Sequence, residues 1–377
     1  MVSPPVLTGQ KLLSSGLQTT NLREDPALSR GFAEKFWPWR YGGKLMKKIM
    51  NAPESVVTGY LRGLAAAHPE VIEFNSEARI VQRKMLPTQP KVGLISGGGS
   101  GCEPMHSGYV GFGGLDAACP GEIFTSPVPA QIMAATERAD SGKGVLYIIK
   151  NFGGEVMNFG LSAEIMKRKG IEISKVLVND DCSFPISQFD RRRGLGGTIL
   201  VEKIAGAAAE RGDDLAQVTS IAKKVVANSR SFGVAFNSCT TPKLGHPNFE
   251  MPEDEFDIGV GIGGDRGHSR SKMVSADKIA EILIEQPALE LELAIGKKII
   301  LLLSGLGSTP PIELYTLSGL IQEKLESIET KVVRSLVGNF ITSLDSFGVI
   351  ATFLVADEEL LELYDSPVDT PALRWGK

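Results

Sequence analysis

The chain has 377 residues, with 40 basic and 44 acidic side chains and a formal net charge of −4. Apolar residues make up 42% and charged residues 22%, globular proportions that exclude long disorder and collagen-like repeats. The slightly acidic balance argues against direct nucleic-acid binding, which needs a basic face, and no apolar run reaches the ~20 residues that span a bilayer.

At this length two domains are the best expectation. Residues 1–45 differ from the rest: they show no clear period and hold Trp37 and Trp39. They read as an N-terminal extension, either an added tail or a native one, and untethered termini are expected to be poorly ordered. No apolar segment precedes a small-residue cleavage site, so a secretory signal is not expected, and Glu24, Asp25 and Glu34 weaken a transit-peptide reading. A cytoplasmic location follows as the expectation. From Met46 the spacing of Val56, Val57, Tyr60, Leu61 and Leu64 predicts a helix over residues 46–66.

Short apolar runs at Lys91–Ser96, Gly144–Lys150 and Lys175–Asp180 predict buried strands. Helices are expected over Asn158–Lys169 and over Gly197–Arg211, where Gly212 supplies a stop. This alternation implies right-handed βαβ units. A second set follows, with strands at Ser231–Asn237, Ile258–Ile262, Lys298–Leu303 and Val349–Val355, and a helix opened by Pro310 and Pro311. The fold class is therefore α/β, with two α/β domains whose mainly parallel or mixed sheets are covered by helices. The boundaries are 46–229 for the first domain, which carries the ligand loop, and 230–377 for the second.

Glycine is the outlier in composition, 42 residues or about 11% against a usual ~7%. Ser96–Pro104 (SGGGSGCEP) follows a strand directly. Gly98, Gly99, Ser100 and Gly101 there offer backbone N–H groups to an oxygen-rich ligand, the alternative being a plain glycine turn. No Gly-Lys-Ser/Thr follows, so it is not a Walker A loop. Gly259–Gly264 (GVGIGG) matches G-x-G-x-x-G formally, but its glycines fall inside the expected strand and no helix start follows, which disfavours dinucleotide binding. Lys150 and Glu155 stand just past a strand end, where open sheets bind ligands; Lys150 suits an oxyanion and Glu155 suits a hydroxyl proton, and a surface ion pair is the alternative. Arg191, Arg192 and Arg193 read as a solvated charge run more readily than as an anion site. His106, four residues past Cys102, reads as a structural hydrogen-bonder more readily than as half of a Cys–His nucleophilic pair. Cys102, Cys119, Cys182 and Cys239 show no CxxC spacing and the histidines no HExxH spacing, so no disulfide framework and no metal site are expected.

Several of these stretches resemble one family. Ser96–Tyr109, Ala118–Pro127 (ACPGEIFTSP), Gly144–Asn151 (GVLYIIKN), Val201–Asp213 (VEKIAGAAAERGD), Gly259–Ile262 and Thr370–Lys377 (TPALRWGK) are similar to the substrate-binding subunit of bacterial dihydroxyacetone (glycerone) kinase, a transferase of glycerol metabolism. The resemblance runs from Met46 to the last residue. It implies two α/β domains, a homodimer, and dihydroxyacetone bound in the Gly-Gly-Gly-Ser-Gly loop. It further implies a histidine that captures the ketone as a hemiaminal, and a histidine and an aspartate that handle protons. Mg-ADP or Mg-ATP is expected only on a separate nucleotide-bearing subunit or fused domain, with no cofactor in this chain.

Aligned on those motifs, Cys102 stands at the loop histidine, Glu155 at the aspartate and Gly263 at the covalent histidine, while Lys150, Gly99 and Ser100 are retained. Gly263 has no side chain to form a bond. A free thiol titrates near 8.5 against ~6.5 for imidazole. Glu155 reaches one methylene further than aspartate. The expected function is thus a divergent family member that binds a small carbonyl or polyol as a sensor or co-regulator, with Cys102 and Glu155 as candidate catalytic groups and Gly98, Gly99, Ser100, Gly101, Lys150 and Gly263 as candidate ligand-binding residues. The alternatives are a phosphotransferase subunit for a different hydroxylated acceptor, and a pure scaffold. Partners are a second copy of the chain and either a nucleotide-bearing kinase subunit or a transcriptional regulator.

Overall fold

In the computed structural model the structure describes residues 48–376, together with the backbone of a short antiparallel hairpin pairing Arg40–Tyr41 with Lys44–Leu45. The rest of the extension expected at 1–45 lies outside the described residues. The helix expected over 46–66 begins later. A 3-10 turn at Pro53–Ser55 leads into α1 (Val56–Ala67), because Pro53 lacks the N–H that an earlier start would need and sits instead at a first turn. Val57 and Leu61 are its buried face.

The first sheet is built from β1 (Ile72–Asn75), β2 (Ile80–Arg83), β3 (Gly93–Ser100), β4 (Ala117–Ile123), β5 (Val145–Lys150) and β6 (Ile173–Val178), in the spatial order β1-β2-β4-β3-β5-β6. From β4 to β6 the neighbours are parallel; β1 and β2 pair antiparallel at one edge. All six residues of β5 are buried, as a strand covered on both faces requires. Helices α2 (Pro129–Ala139) and α3 (Gly153–Arg168) cover one face over a core that includes Ile95, Cys119, Tyr147, Ile149 and Phe159.

Two helices follow. α4 (Gly197–Arg211) ends at Gly212, whose φ of 98° is the left-handed turn that glycine permits. α5 (Leu215–Ala227) is capped by Asp214, which accepts from the backbone N–H of Gln217. Every residue of α4 from Gly197 to Ala209 is buried, including Glu202 and Lys203. α4 touches β3 and β5 on one side and β7 (Ser229–Ala235) and β12 (Gly348–Val355) on the other, so it is sandwiched between the two sheets. The Asp180 carboxylate accepts from the backbone N–H groups of Leu195 and Gly197, both at 2.7 Å, and so fixes where α4 begins.

The second sheet adds β8 (Glu255–Ile258), β9 (Ser269–Lys272), β10 (Lys298–Gly305) and β11 (Lys331–Gly338), in the order β9-β8-β7-β12-β10-β11. Only β10 and β11 run parallel, so this sheet is mixed and mostly antiparallel. The parallel pair is the one joined by a helical crossover, α7 (Pro311–Ser327), as connection geometry demands. α6 (Ala276–Glu290) and α7 cover one face, and the short α8 (Glu358–Asp365) packs on α4. Among the described residues no helix is long and apolar enough to cross a membrane.

Three local expectations are corrected. The glycines of Ser96–Pro104 do not begin a loop: β3 runs on to Ser100, because Gly97 and Gly98 pair in register with Cys119 and Pro120. A Cβ on Gly97 would stand 2.5 Å from the Cys119 carbonyl oxygen, so the close pairing needs a residue without one. Conversely, Gly259–Gly264 lies beyond β8, which ends at Ile258. The arginine run is not solvated as a whole: Arg192 is fully buried in a bidentate pair with Glu290, at 2.7 and 2.6 Å, and Arg193 bonds Asp181 at 2.6 Å.

Candidate functional site

Apart from an open surface groove of about 340 Å³ beside Arg62, Glu73 and Lys84, two cavities stand out among the described residues. The larger, about 390 Å³, is lined by Phe236, Met273, Ile312, Leu317 and Phe347, with Glu313 its one ionisable lining residue. The second, about 300 Å³, lies at the carboxyl ends of β3 and β5 and gathers titratable groups from three segments. Gly99 and Cys102 come from the end of β3, Lys150 and Glu155 from the β5–α3 turn, and Ile262, Gly263 and Asp265 from the loop after β8. Phe124, Ser126 and Phe152 complete its walls. Few charged side chains can be buried unless they do something specific there, so the chemistry is assigned to the second cavity.

Lys150 closes β5 and is only 2% exposed. Its Nζ lies 3.1 Å from His106 Nε2 and 3.9 Å from Glu155 Oε1. Both side chains are buried, so the surface-pair alternative is excluded. Gly98 makes the lysine's position possible: a Cβ there would meet Nζ at 2.1 Å. Glu155 stands in the first turn of α3, which starts at Gly153 rather than at Asn158 as the periodicity predicts. The helix N-terminus attracts its negative charge, and Ser126 Oγ donates to Glu155 Oε2 at 2.5 Å.

Cys102 donates its S–H to the Ile262 carbonyl at 3.3 Å. Burial pushes the thiol up to about 12, with Glu103 adding to the shift and Lys150 opposing it. The thiol is therefore protonated at neutral pH. Glu103 is also raised by burial, although both its oxygens accept from the Gly101 N–H at 3.0 Å. This turn is tied to the second half of the chain: the Leu344 N–H donates to the Gly101 carbonyl at 2.7 Å, and the Thr342 hydroxyl to the Glu103 carbonyl at 2.8 Å.

The remaining predicted residues fall as follows. Ser100 is buried and donates to the Gly121 carbonyl at 2.7 Å, away from the cavity lining. Gly101 adopts φ +105°, and a Cβ added there would meet the Phe124 ring at 2.8 Å. Gly263 does not use the left-handed region, and a Cβ on it would meet only Asp265 Oδ2, at 3.2 Å. His268 stacks edge-on against Phe184 and does not line the cavity. His106 is a buried hydrogen-bonder, as its surroundings predicted, but its partners are unusual: Glu202 Oε1 at 2.5 Å and Ser96 Oγ at 3.0 Å share Nδ1, and Lys150 holds Nε2.

Sequence reasoning missed Ser126, Asp265, Ser96 and Glu202. Asp265 carried a signal, since it lies two residues past the odd glycine. So did Glu202, a carboxylate inside the otherwise apolar VEKIAGAAA run, where it has to be buried. Among the described residues no cluster of metal-ligating side chains occurs.

Comparison with known proteins agrees with this geometry. The family model of the Dak1 domain matches residues 62–372. The chain is 41% identical over 330 residues to the dihydroxyacetone-binding subunit DhaK of a PTS-dependent dihydroxyacetone kinase from Listeria innocua, covering 87% of this chain and 100% of that one. It is 38% identical over 357 residues to the corresponding subunit of the PEP-dependent kinase of Escherichia coli, covering 88% and 100%. Among solved structures, the dihydroxyacetone kinase operon co-activator Dha-DhaQ superposes with a TM-score of 0.78 and 33% identity over 83% of this chain and 96% of that one. Every group that lines the cavity falls inside the matched residues, and the chain belongs to the Dak1 domain family.

Proposed function

We propose that this protein is a divergent dihydroxyacetone-binding subunit that takes a small carbonyl or polyol into the Lys150–Glu155 cavity and serves as a sensor or co-regulator. The observation that carries the reading is the cavity's asymmetry. Its floor is complete: Gly98 admits the Lys150 ammonium, and the Glu155 carboxylate faces it. Its proton-handling groups are not those of the family mechanism, since Gly263 offers no nucleophile and the Cys102 thiol is held protonated. Such a site recognises oxygen atoms well. Lys150 donates to a carbonyl or hydroxyl oxygen, Glu155 accepts from a neighbouring hydroxyl, and Phe124 and Phe152 shield both from water. The likeness to an operon co-activator supports a regulatory output. The proposed partners are a second copy of the chain and a transcriptional regulator.

A second reading has its own support. Ser126 orients Glu155, and an oriented carboxylate is what a hydroxyl acceptor needs for proton removal. In that case the chain is a phosphotransferase subunit for an acceptor larger than dihydroxyacetone, and Mg-ATP or Mg-ADP resides on the donor subunit. Two measurements separate the readings. Thermal shift against a panel of trioses and tetroses tests binding, and no shift with any of them defeats both. Reconstitution with a donor subunit and ATP tests transfer, and phosphorylation of any sugar in the panel establishes the second.

A further inference from the structure

Lys150, His106 and Glu202 form a hydrogen-bonded row that leads from the cavity to buried Glu202. Lys150 Nζ reaches the cavity; His106 Nε2 lies 3.1 Å behind it, and Glu202 Oε1 lies 2.5 Å from His106 Nδ1. The three side chains are 2%, 4% and 1% exposed. Hydrogen-bond roles fix the tautomer. An ammonium only donates, so Nε2 accepts and the neutral ring carries its proton on Nδ1, toward Glu202. The Ser96 hydroxyl donates to the Ile148 carbonyl, which leaves its oxygen free to accept from the same Nδ1–H.

Two further facts are unexplained by a purely structural role. Glu202 Oε2 is buried without a hydrogen-bond partner, which is costly for a carboxylate and much less so for a carboxyl. And the nearest carboxylate oxygen to Lys150, Glu155 Oε1, stands at 3.9 Å, too far for a hydrogen bond. Among the described residues, His106 Nε2 is thus the one side-chain hydrogen-bond partner of the Lys150 ammonium.

We propose that Lys150 is the carbonyl-capturing amine of this cavity, with His106 and Glu202 as the positioning residues that take up its proton. The step balances. The ammonium passes one proton to His106 Nε2 while the Nδ1 proton moves to Glu202, so the row remains neutral overall. The free amine adds to the ligand's carbonyl carbon, the C=O π bond opens, and a second nitrogen proton moves to the new alkoxide. The product is a carbinolamine on Lys150 and a carboxyl on Glu202; loss of water gives the imine. Burial raises Glu202 to about 8, so it is the ionised fraction of Glu202, growing as pH approaches that value, that takes up the proton as a strong carboxylate base, and burial holds His106 well below its ordinary range, so the imidazole relays the proton without storing it. The charged or titratable groups facing Lys150 are Cys102, Glu103, His106, Glu155 and Glu202, with Asp265 also lining the cavity. Covalent capture thus falls to Lys150, since Gly263 lines the same cavity without a side chain. The inference rests on the reading above that the ligand carries a carbonyl.

The test uses the full chain, dihydroxyacetone and cyanoborohydride, followed by peptide mass spectrometry. A reduced adduct on Lys150 is expected, at ligand concentrations that leave surface lysines unmodified. Lys150→Arg keeps the charge but has no amine to add to a carbonyl, and should give no adduct at 150. Glu202→Gln should slow trapping by ~10²-fold or more near neutral pH, with recovery at higher pH, where solvent removes the ammonium proton directly. A packing defect would show no such recovery. Calorimetric binding by the wild-type chain without an adduct on Lys150 overturns the proposal and leaves the binding function standing. Adducts spread evenly over surface lysines overturn it too, and so does trapping that Glu202→Gln leaves unchanged. No binding of dihydroxyacetone or any related carbonyl defeats the binding function along with it.

Discussion

Substituting Gly263→His puts an imidazole where the family resemblance expects one. The structure allows it: φ at 263 lies outside the left-handed region, and the one atom within 4 Å of the added Cβ is Asp265 Oδ2, at 3.2 Å. Asp265 is exposed, so its carboxylate can yield by a few tenths of an ångström. The substitution also removes a glycine's freedom from the unfolded chain, worth about 0.4–1 kcal/mol in favour of folding. Crowding and entropy oppose each other, and the expected change in stability is within about 0.5 kcal/mol either way, as for substitutions that touch no core. The new ring points into a cavity of about 300 Å³ that has room for it beside a triose. An imidazole there adds a second capturing group beside the Lys150 amine and should raise the affinity for dihydroxyacetone at least tenfold, or about 1.4 kcal/mol. Calorimetry gives the affinity. Unfolding by urea gives the stability. If stability falls by more than about 2 kcal/mol, the cavity wall is tighter than its geometry states. If stability holds and affinity does not rise, position 263 does not face the ligand, and the assignment of this cavity is wrong.

Other outcomes follow from the same geometry. Gly98→Ala should spare the fold and abolish ligand binding, because its Cβ strikes the flexible end of Lys150 at 2.1 Å rather than backbone; a variant that binds normally by calorimetry contradicts the lysine's placement. Arg192→Met should cost about 3–5 kcal/mol in urea unfolding, since it leaves the Glu290 carboxylate buried beside Arg230 alone. Glu202 gives a pH signature. Its folded pKa of about 8 exceeds the unfolded ~4.3, so the folded state holds an extra proton between those values, and the stability this confers is present below that window and lost as pH rises through it. Melting curves from pH 5 to 9 should therefore slope downward more steeply for wild type than for Glu202→Gln, and equal slopes would contradict the raised value.

Much of the architecture was legible because buried strands and helices write simple patterns. Lys298–Leu303 and Gly144–Lys150 could hardly be anything but covered strands, and Gly197–Arg211 was bounded by its own stop residue. What failed was local and had one cause: glycine carries no hydrophobic signal. Gly97–Gly99 extend a strand and Gly259–Gly264 leave one, and only the pairing partners, Cys119 and Pro120, distinguish the two cases. The site shows the same division. Lys150 and Glu155 were readable because both flank a strand end. The Glu202–His106 contact was not, since the two residues lie on separate elements and meet only when α4 is sandwiched between the sheets. Arg192 was misjudged because a run of like charges carries no mark of which member finds a buried carboxylate.

The cavity draws its walls from both halves of the chain, with Lys150 and Glu155 behind the first sheet and Ile262–Asp265 behind the second. Anything lodged there is a removable seam filler. Its binding free energy is also adhesion between the two sheets, about 2.7 kcal/mol at a hundredfold excess over the dissociation constant. A ligand bound there would therefore add to the stability of both sheets at once, although it touches only their ends.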